Sequence, residues 1–323
     1  MTPSRTRLKA DFTLLLVSIF WGSAFVAQRV AASYMSPFFF NGIRFILGAL
    51  ILIPFSIGTF KSFFMKKLVH QNALKGSLSS QGIPFYGLFL AGLLLFIGNT
   101  FQQIGLKYTT AGNAGFITGL YVVFTPLLEW LIWKRKPGRL IIFAVISSFI
   151  GLFLLTSQGT LVNPGELVKA LNQSSPIHQA VYVGDALELA GALMWSFHMI
   201  LIGWLVKKVD IFPLAIIQYL VCGILCMVVS TTLEGFSTSG LTQSWWTVVY
   251  TAVFSIALGY TLQAVGQIYA PATDAAIILS MEAVFAAICG WLFINEKLSA
   301  IQILGCVLML FGMLIAQRRK QVI

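Results

Sequence analysis

The chain has 323 residues, of which 58% are hydrophobic and 10% charged, and its mean hydropathy is +0.88. Soluble domains carry roughly 25% charged residues, so the composition excludes one and points to an integral membrane protein. The net charge of +11 does not point to nucleic acid, because the basic residues sit in short clusters between apolar runs, as topology signals do.

The first apolar run, 12–31, follows Arg5, Arg7 and Lys9. It is longer than the ~7–15-residue core of a signal peptide and carries Trp21, Gln28 and Arg29, so it reads as a retained membrane helix. Further runs follow at 38–57, 85–106, 111–133, 140–156, 186–206, 213–233, 245–268, 273–294 and 301–317. Each is close to the ~17–25 residues that cross a bilayer as a helix. The expectation is therefore an all-α integral membrane protein with ten transmembrane helices. Pro126 falls inside the fourth run and is expected to kink it by freeing the carbonyl of Val122. The four cysteines, Cys222, Cys226, Cys289 and Cys306, all lie in apolar runs, forming neither a disulfide framework nor a metal-ligand set.

Lysine and arginine set the orientation. With the N-terminus inside, sixteen basic residues face the cytoplasm: Arg5, Arg7, Lys9, Lys61, Lys66, Lys67, Lys75, Lys134, Arg135, Lys136, Arg139, Lys207, Lys208, Arg318, Arg319 and Lys320. Lys107, Lys169 and Lys297 face the other side, and Arg29 and Arg44 lie within spans. Both termini are then cytoplasmic, in a bacterial inner membrane. Two connections are long, 58–84 and 157–184, and the second reads as an external linker between halves 1–156 and 185–323.

Those halves are related. Shifted by 161 residues, GNTFQQIGLKYTTAGNAGFI (98–117) lies on GYTLQAVGQIYAPATDAAII (259–278) without a gap, with Gly98, Gln102, Gly105 and Tyr108 matched. Trp130 falls on Trp291 and Gly151 on Gly312 in the same register, and Asp11 with Trp21 falls on Asp185 with Trp195 at an offset of 174. Five spans per half force the second copy to enter the membrane from the opposite side. This is an inverted-topology repeat around a central cavity, an architecture of alternating-access transporters. A duplicated scaffold without transport is the alternative.

Polar residues inside the spans share helix faces: Asn41 with Arg44; Asn99 with Gln102 and Gln103; Thr118 with Tyr121 and Thr125; Tyr260 with Gln263 and Gln267. Trp21 is accompanied by Phe25 and Gln28, and Trp195 by His198. Such stripes face protein or water, not lipid. They mark Trp21, Arg44, Asn99, Gln102, Tyr121, Trp195, His198, Tyr260, Gln263 and Glu282 as candidate cavity residues. For Gln102 and Gln263, interhelical hydrogen-bonding glue is the competing role.

Glu282 reads as the single mid-span carboxylate, about 10 Å along its helix, and Arg44 lies about 9 Å along its own. Side chains lean toward the helix N-terminus, so these two are expected to diverge rather than pair. In the repeat Glu282 matches Tyr121, and Arg44 aligns near Leu220, so both break the pseudosymmetry. A scaffold needs what both halves share, whereas a substrate needs an asymmetric site. Walker A, His-Glu-x-x-His and Gly-x-Ser-x-Gly sequences do not occur, so no ATPase or hydrolase motif and no cofactor is indicated.

FWGSAFVAQRVAA (20–32) with SPFFFNGIRFILGAL (36–50), and the segments beginning at Gly105 and Ser280, resemble the EamA-type branch of the drug/metabolite transporter superfamily. The resemblance spans nearly the whole chain and implies two inverted halves around a central cavity. It also implies export or exchange of small metabolites, often amino acids or related amphiphiles. The expected partners are a small-molecule substrate, the lipid bilayer and a proton as candidate coupling ion, with no metal. Efflux of lipophilic cations is the alternative substrate class, and a membrane enzyme the alternative activity. One departure is Ala283, where the family has proline after the residue matching Glu282, which puts a kink in the ninth span in question.

Overall fold

The computed structural model describes residues 3–73, 83–108, 111–134, 136–156, 176–234, 238–294 and 299–317. Among these, seven helices are long and apolar enough to cross a membrane, and three shorter apolar helices cover Ile117–Trp133, Arg139–Leu154 and Ala300–Ala316. No strand occurs among the described residues.

The helices are α1 (Pro3–Tyr34), α2 (Pro37–Ala73), α3 (Ile83–Tyr108), α4 (Ala111–Gly119), α5 (Tyr121–Trp133) and α6 (Arg139–Thr156) in the first half. The second half has α7 (Pro176–Leu205), α8 (Ile211–Val229, continued by a π turn Ser230–Glu234), α9 (Ser239–Tyr250), α10 (Thr261–Gln267), α11 (Ala272–Leu279), α12 (Glu282–Ile294) and α13 (Ala300–Gln317). A ten-residue π-helical segment, Thr251–Tyr260, joins α9 to α10. Pro37 opens α2, where a missing N–H costs nothing. The adjacent free donors, the N–H groups of Phe38 and Phe39, are taken by the Glu234 carboxylate at 3.3 Å each.

The elements differ from those expected in three places. The predicted span 111–133 is broken at Leu120, while α5 runs through Pro126 as a helix. The interruption lies at a tight turn before α5, in which Leu120 N–H donates to the Ile117 carbonyl at 3.1 Å. The span 273–294 breaks without proline, at Ser280–Met281. There Met281 N–H donates to Ile278 at 3.2 Å and the Ser280 hydroxyl to Ile277 at 2.8 Å, competing with the regular ladder. Finally, α2 continues to Ala73, beyond the predicted end at 57, and α7 begins at Pro176 inside the predicted linker 157–184, whose residues 157–175 lie outside the described ones.

The helix ends repeat. Shifted by 161, the bounds of α4, α5 and α6 fall on those of α11, α12 and α13 at five of six ends, the sixth differing by one residue. Related helices also cross one another. A Cβ on Gly151 would stand 2.5 Å from the Gly305 carbonyl and 2.8 Å from Met309, while one on Gly312 would meet Ser148 at 2.4 Å. As α6 advances α13 recedes, so the two run antiparallel. The Ser147 hydroxyl ties them by donating to the Leu308 carbonyl at 2.8 Å. In the same antiparallel sense Gly42 of α2 packs on Met227 and Gly223 of α8 on Ile46. Small residues let helix backbones approach closely enough for dispersion to hold them where no hydrophobic force between helices exists.

Tryptophans and glycines pair in the same pattern. Gly98 of α3 lies under Trp195 of α7, and Gly259 of the π segment under Trp21 of α1. These two crossings place both indoles in the centre of the bundle.

Valine at 151 or 312 is expected to lower stability by about 1–3 kcal/mol through overpacking, read as a drop in the thermal unfolding midpoint in detergent. Gly58→Ala, inside α2 where a Cβ would meet nothing within 4 Å, should not lower that midpoint and should raise it slightly through helix propensity. A neutral Gly151→Val would contradict the close α6–α13 crossing.

Candidate functional site: a buried polar cavity

Arg44 illustrates how this bundle handles charge. It is 1% exposed, so it does not reach out to the membrane surface. Its Nε donates to Asn41 Oδ1 at 3.0 Å, one helical turn back, and its Nη2 to Asn99 Oδ1 at 2.8 Å. The guanidinium also lies 4.8 Å from the Phe40 ring centre and 5.5 Å from that of Phe45. The Asn99 amide is itself fixed, donating to the Leu95 carbonyl at 2.9 Å. Among the described residues the ion pairs are those of Arg7 with Asp11 (2.7 Å) and Asp274 (2.9 Å), so Arg44 meets neutral acceptors and no carboxylate. As expected from side-chain direction, it does not pair with Glu282.

Glu282 begins α12 directly after the break at Ser280–Met281 and is 3% exposed. Tyr121, which begins α5 directly after the break at Leu120, donates its hydroxyl to Glu282 Oε1 at 2.9 Å. The two residues are 161 apart, so repeat-related positions touch one another. Asn99 and Tyr260 have the same separation, with Asn99 Nδ2 3.5 Å from the Tyr260 hydroxyl.

Tyr260 is the hub of an aromatic cluster. Its ring centre lies 4.9 Å from Trp21, 5.8 Å from Trp195, 6.0 Å from Phe45 and 6.0 Å from His198. The His198 ring is held by Gln218 at 2.9 Å. The two indoles differ in one respect. Trp21 Nε1 donates to the Ser255 carbonyl at 3.1 Å, within the π segment. Trp195 faces the regular helix α3, and its Nε1 has no partner among the described residues although it is buried. The wider π turn, a feature found often at functional sites, thus coincides with satisfaction of one indole and not the other.

These groups enclose a cavity of about 30 Å³, room for a water or two. All ten residues singled out in the sequence, Trp21, Arg44, Asn99, Gln102, Tyr121, Trp195, His198, Tyr260, Gln263 and Glu282, line it. So do Thr118, Ser255 and Met199. Gln102 and Gln263 are also bonded as glue would be, Gln102 Nε2 to Thr118 Oγ1 at 3.2 Å and Gln263 Nε2 to Gln267 Oε1 at 3.2 Å.

Below this cavity opens a vestibule of about 620 Å³, bordered by Glu129, Lys136, Trp204, Lys207 and Tyr269. The Tyr269 carbonyl accepts a bond from Arg7, so this is the basic end of the bundle. Gln267 Nε2 donates to the Met199 carbonyl at 2.9 Å, and the chain Gln263–Gln267–Met199 separates cavity from vestibule. Toward the opposite end α1 is tied to its neighbours by Arg29 on the Leu106 carbonyl, Gln103 on the Gln28 carbonyl and Ser23 against the Tyr250 hydroxyl.

The sequence reading took Glu282 as the single mid-span carboxylate, and the structure corrects this. Glu188 on α7 is fully buried and accepts a bond from Thr118 at 3.1 Å. One acid in the apolar run ALELAGALMW was signal enough to find it. No group of three or more His, Cys, Asp or Glu side chains suited to a metal ion occurs among the described residues.

A bundle of membrane-length helices around a polar and aromatic cavity defines a multi-pass membrane protein with a buried polar cavity at its centre. The chain belongs to the EamA-like transporter family, whose model matches residues 8–157 and 182–317. An uncharacterized transporter of Archaeoglobus fulgidus is 31% identical over 97% of this chain and 87% of its own length. The uncharacterized transporter YyaM of Bacillus subtilis is 26% identical over 94% and 92%. One solved crystal structure shares the fold with a TM-score of 0.70 at 14% identity, covering 95% of this chain and 96% of that one.

Asn99→Leu strands the buried guanidinium on Asn41 alone and is expected to cost about 2–4 kcal/mol. Adding Arg44→Met to that variant should recover part of the loss, because the uncompensated charge is gone. Thermal unfolding of the two variants in detergent checks the order, and a neutral Asn99→Leu would contradict it.

Proposed function

We propose that this chain is a secondary transporter that exports or exchanges a small organic metabolite bearing a carboxylate, amino acid-like or amphipathic, by alternating access. It works as two five-helix inverted repeats making ten spans in a bacterial inner membrane, with both termini and the basic vestibule on the cytoplasmic side. The observation that carries this reading is Arg44, a buried cation held by two asparagines with no carboxylate partner among the described residues, facing the same cavity as Glu282. A solute carboxylate supplies the missing anion, and an amine or a coupling proton takes Glu282. Trp21, Trp195 and Tyr260 provide apolar walls, and the free Trp195 Nε1 offers one donor.

Transport is supported by the family and by relatives named as transporters. Inversion of the repeats is supported by the antiparallel crossing of α6 with α13 and by helix ends that recur after 161 residues. The small central cavity beside a large basic vestibule suits a form whose solute path is open toward the cytoplasm, with the Gln263–Gln267–Met199 chain as the inner gate. Efflux of lipophilic cations is the second reading. The aromatic cluster with Glu282 favours it, and the buried Arg44 opposes it, because like charges repel.

Flux in proteoliposomes, with radiolabelled amino acids and organic cations offered in turn, tests the proposal. Wild type is expected to accumulate a carboxylate-bearing solute under a pH gradient. Glu282→Gln should lose that accumulation by about tenfold or more while retaining solute exchange. Gradient-driven accumulation in Glu282→Gln equal to wild type would make Glu282 structural, and preference for organic cations would favour the second reading.

A further inference from the structure

Glu188 lies just outside the cavity lining, and the reading above leaves it without a role. Its carboxyl fills a notch in α3. A Cβ on Gly105 would fall 2.7 Å from Oε1 and 3.0 Å from Cγ. Oε2 accepts the Thr118 hydroxyl at 3.1 Å, and Oε1 has no partner among the described residues. A carboxylate kept out of water needs several donors or a cation to remain ionised, and here one neutral hydroxyl serves.

Among the described residues, no cation acts on Glu188. On α7 itself, Asp185 is the charged group that acts on Glu188, with the same sign. The faces of α3 and α4 against it present Gly105, Gln102 and Thr118. On α5, Tyr121 is bonded to Glu282, and further along Glu129 accepts from Thr273. The helices α10 and α11 meet α7 nearer its other end, at Met199 and Gly203.

Packing alone does not require an acid here. In the repeat-related crossing, the Gly266 notch is filled by Leu14, whose Cγ would stand 2.7 Å from a Cβ on that glycine. The offsets that place Gly105 on Gly266 and Trp21 on Trp195 place Leu14 on Glu188. One half thus fills the notch with a methyl-tipped side chain and the other with a titratable one.

The connection to the cavity is short. Thr118 and Tyr121 stand one helical turn apart, on either side of the break at Leu120. Thr118 holds Glu188, and Tyr121 holds Glu282. Both buried carboxyls therefore hang from one interruption of one span.

We infer that Glu188 is a second proton-binding site, the distal member of a two-carboxyl relay. A proton from water at the end opposite the basic vestibule adds to Oε1, leaving Oε2 to accept the Thr118 bond, and its release restores the carboxylate. The Leu120 break couples the state of Glu188 to Tyr121 and Glu282. The relay rests on Glu282 being the coupling site.

Infrared difference spectra of the reconstituted full chain between acidic and alkaline buffer read the site without any solute. Wild type should show a titrating C=O band of a protonated carboxyl that is absent in Glu188→Leu and retained in Glu282→Gln. Leucine is the side chain that the related notch already accommodates, so this variant should fold. In flux assays Glu188→Leu should lose gradient-driven accumulation by about tenfold while solute exchange persists. A band set unchanged in Glu188→Leu, or accumulation equal to wild type, overturns the inference. A Glu188-dependent band in a wild type whose flux ignores the pH gradient overturns the relay together with the coupling role of Glu282. Flux absent for every solute, with the band present, contradicts the transport reading and leaves Glu188 as a proton site.

Discussion

A polar group inside a bilayer-spanning bundle must find its partner within the protein, because the hydrocarbon offers none. The centre of this molecule is arranged around that constraint acting on Arg44. Its guanidinium orders Asn41 and Asn99, and Asn99 is in turn tied to Leu95 and reaches Tyr260. Tyr260 gathers Trp21, Trp195 and His198 around itself. Neutral amides satisfy the hydrogen bonds of the cation without cancelling its charge. On the proposed reading, that leaves a folded site in which the charge remains available to a solute anion.

The duplication supplies the frame, and departures from it supply the chemistry. Where the halves agree, they build crossings: Gly151 and Gly312 in the α6–α13 contact, Gly98 under Trp195, Gly259 under Trp21. Where they differ, the difference carries charge or a free donor. Tyr121 faces Glu282 across the pseudosymmetric centre, Glu188 stands where the other half has Leu14, and the π segment satisfies the indole of Trp21 but leaves that of Trp195 open. These substitutions make the two sides of the bundle interior chemically unlike.

The cavity was legible in the sequence because helical spacing puts polar residues on one face, and a face that is polar within an apolar run has only the bundle interior to turn to. The ten residues singled out that way, from seven different spans, are among the fifteen that line the cavity. Other features were not legible, for separate reasons. At Ser280–Met281 the serine hydroxyl competes for the Ile277 carbonyl and at Leu120 the backbone tightens to the Ile117 carbonyl, whereas Pro126 drew attention to a place where the helix assignment continues. The π register of Thr251–Tyr260 has no residue signature in TAVFSIALGY. Glu188 was visible as an acid in an apolar run, but its significance depends on the glycine notch of a different helix, which spacing within one helix does not reveal.

The central claim is that the buried Arg44 awaits a solute carboxylate. Thermal unfolding of the purified protein against a panel of carboxylate-bearing, zwitterionic and purely cationic solutes tests it most directly, with wild type and Arg44→Met compared side by side. The account predicts that at least one carboxylate-bearing solute raises the midpoint of wild type and leaves that of Arg44→Met where it was. Stabilisation of both proteins by the same solutes, or of wild type by cations alone, would contradict it.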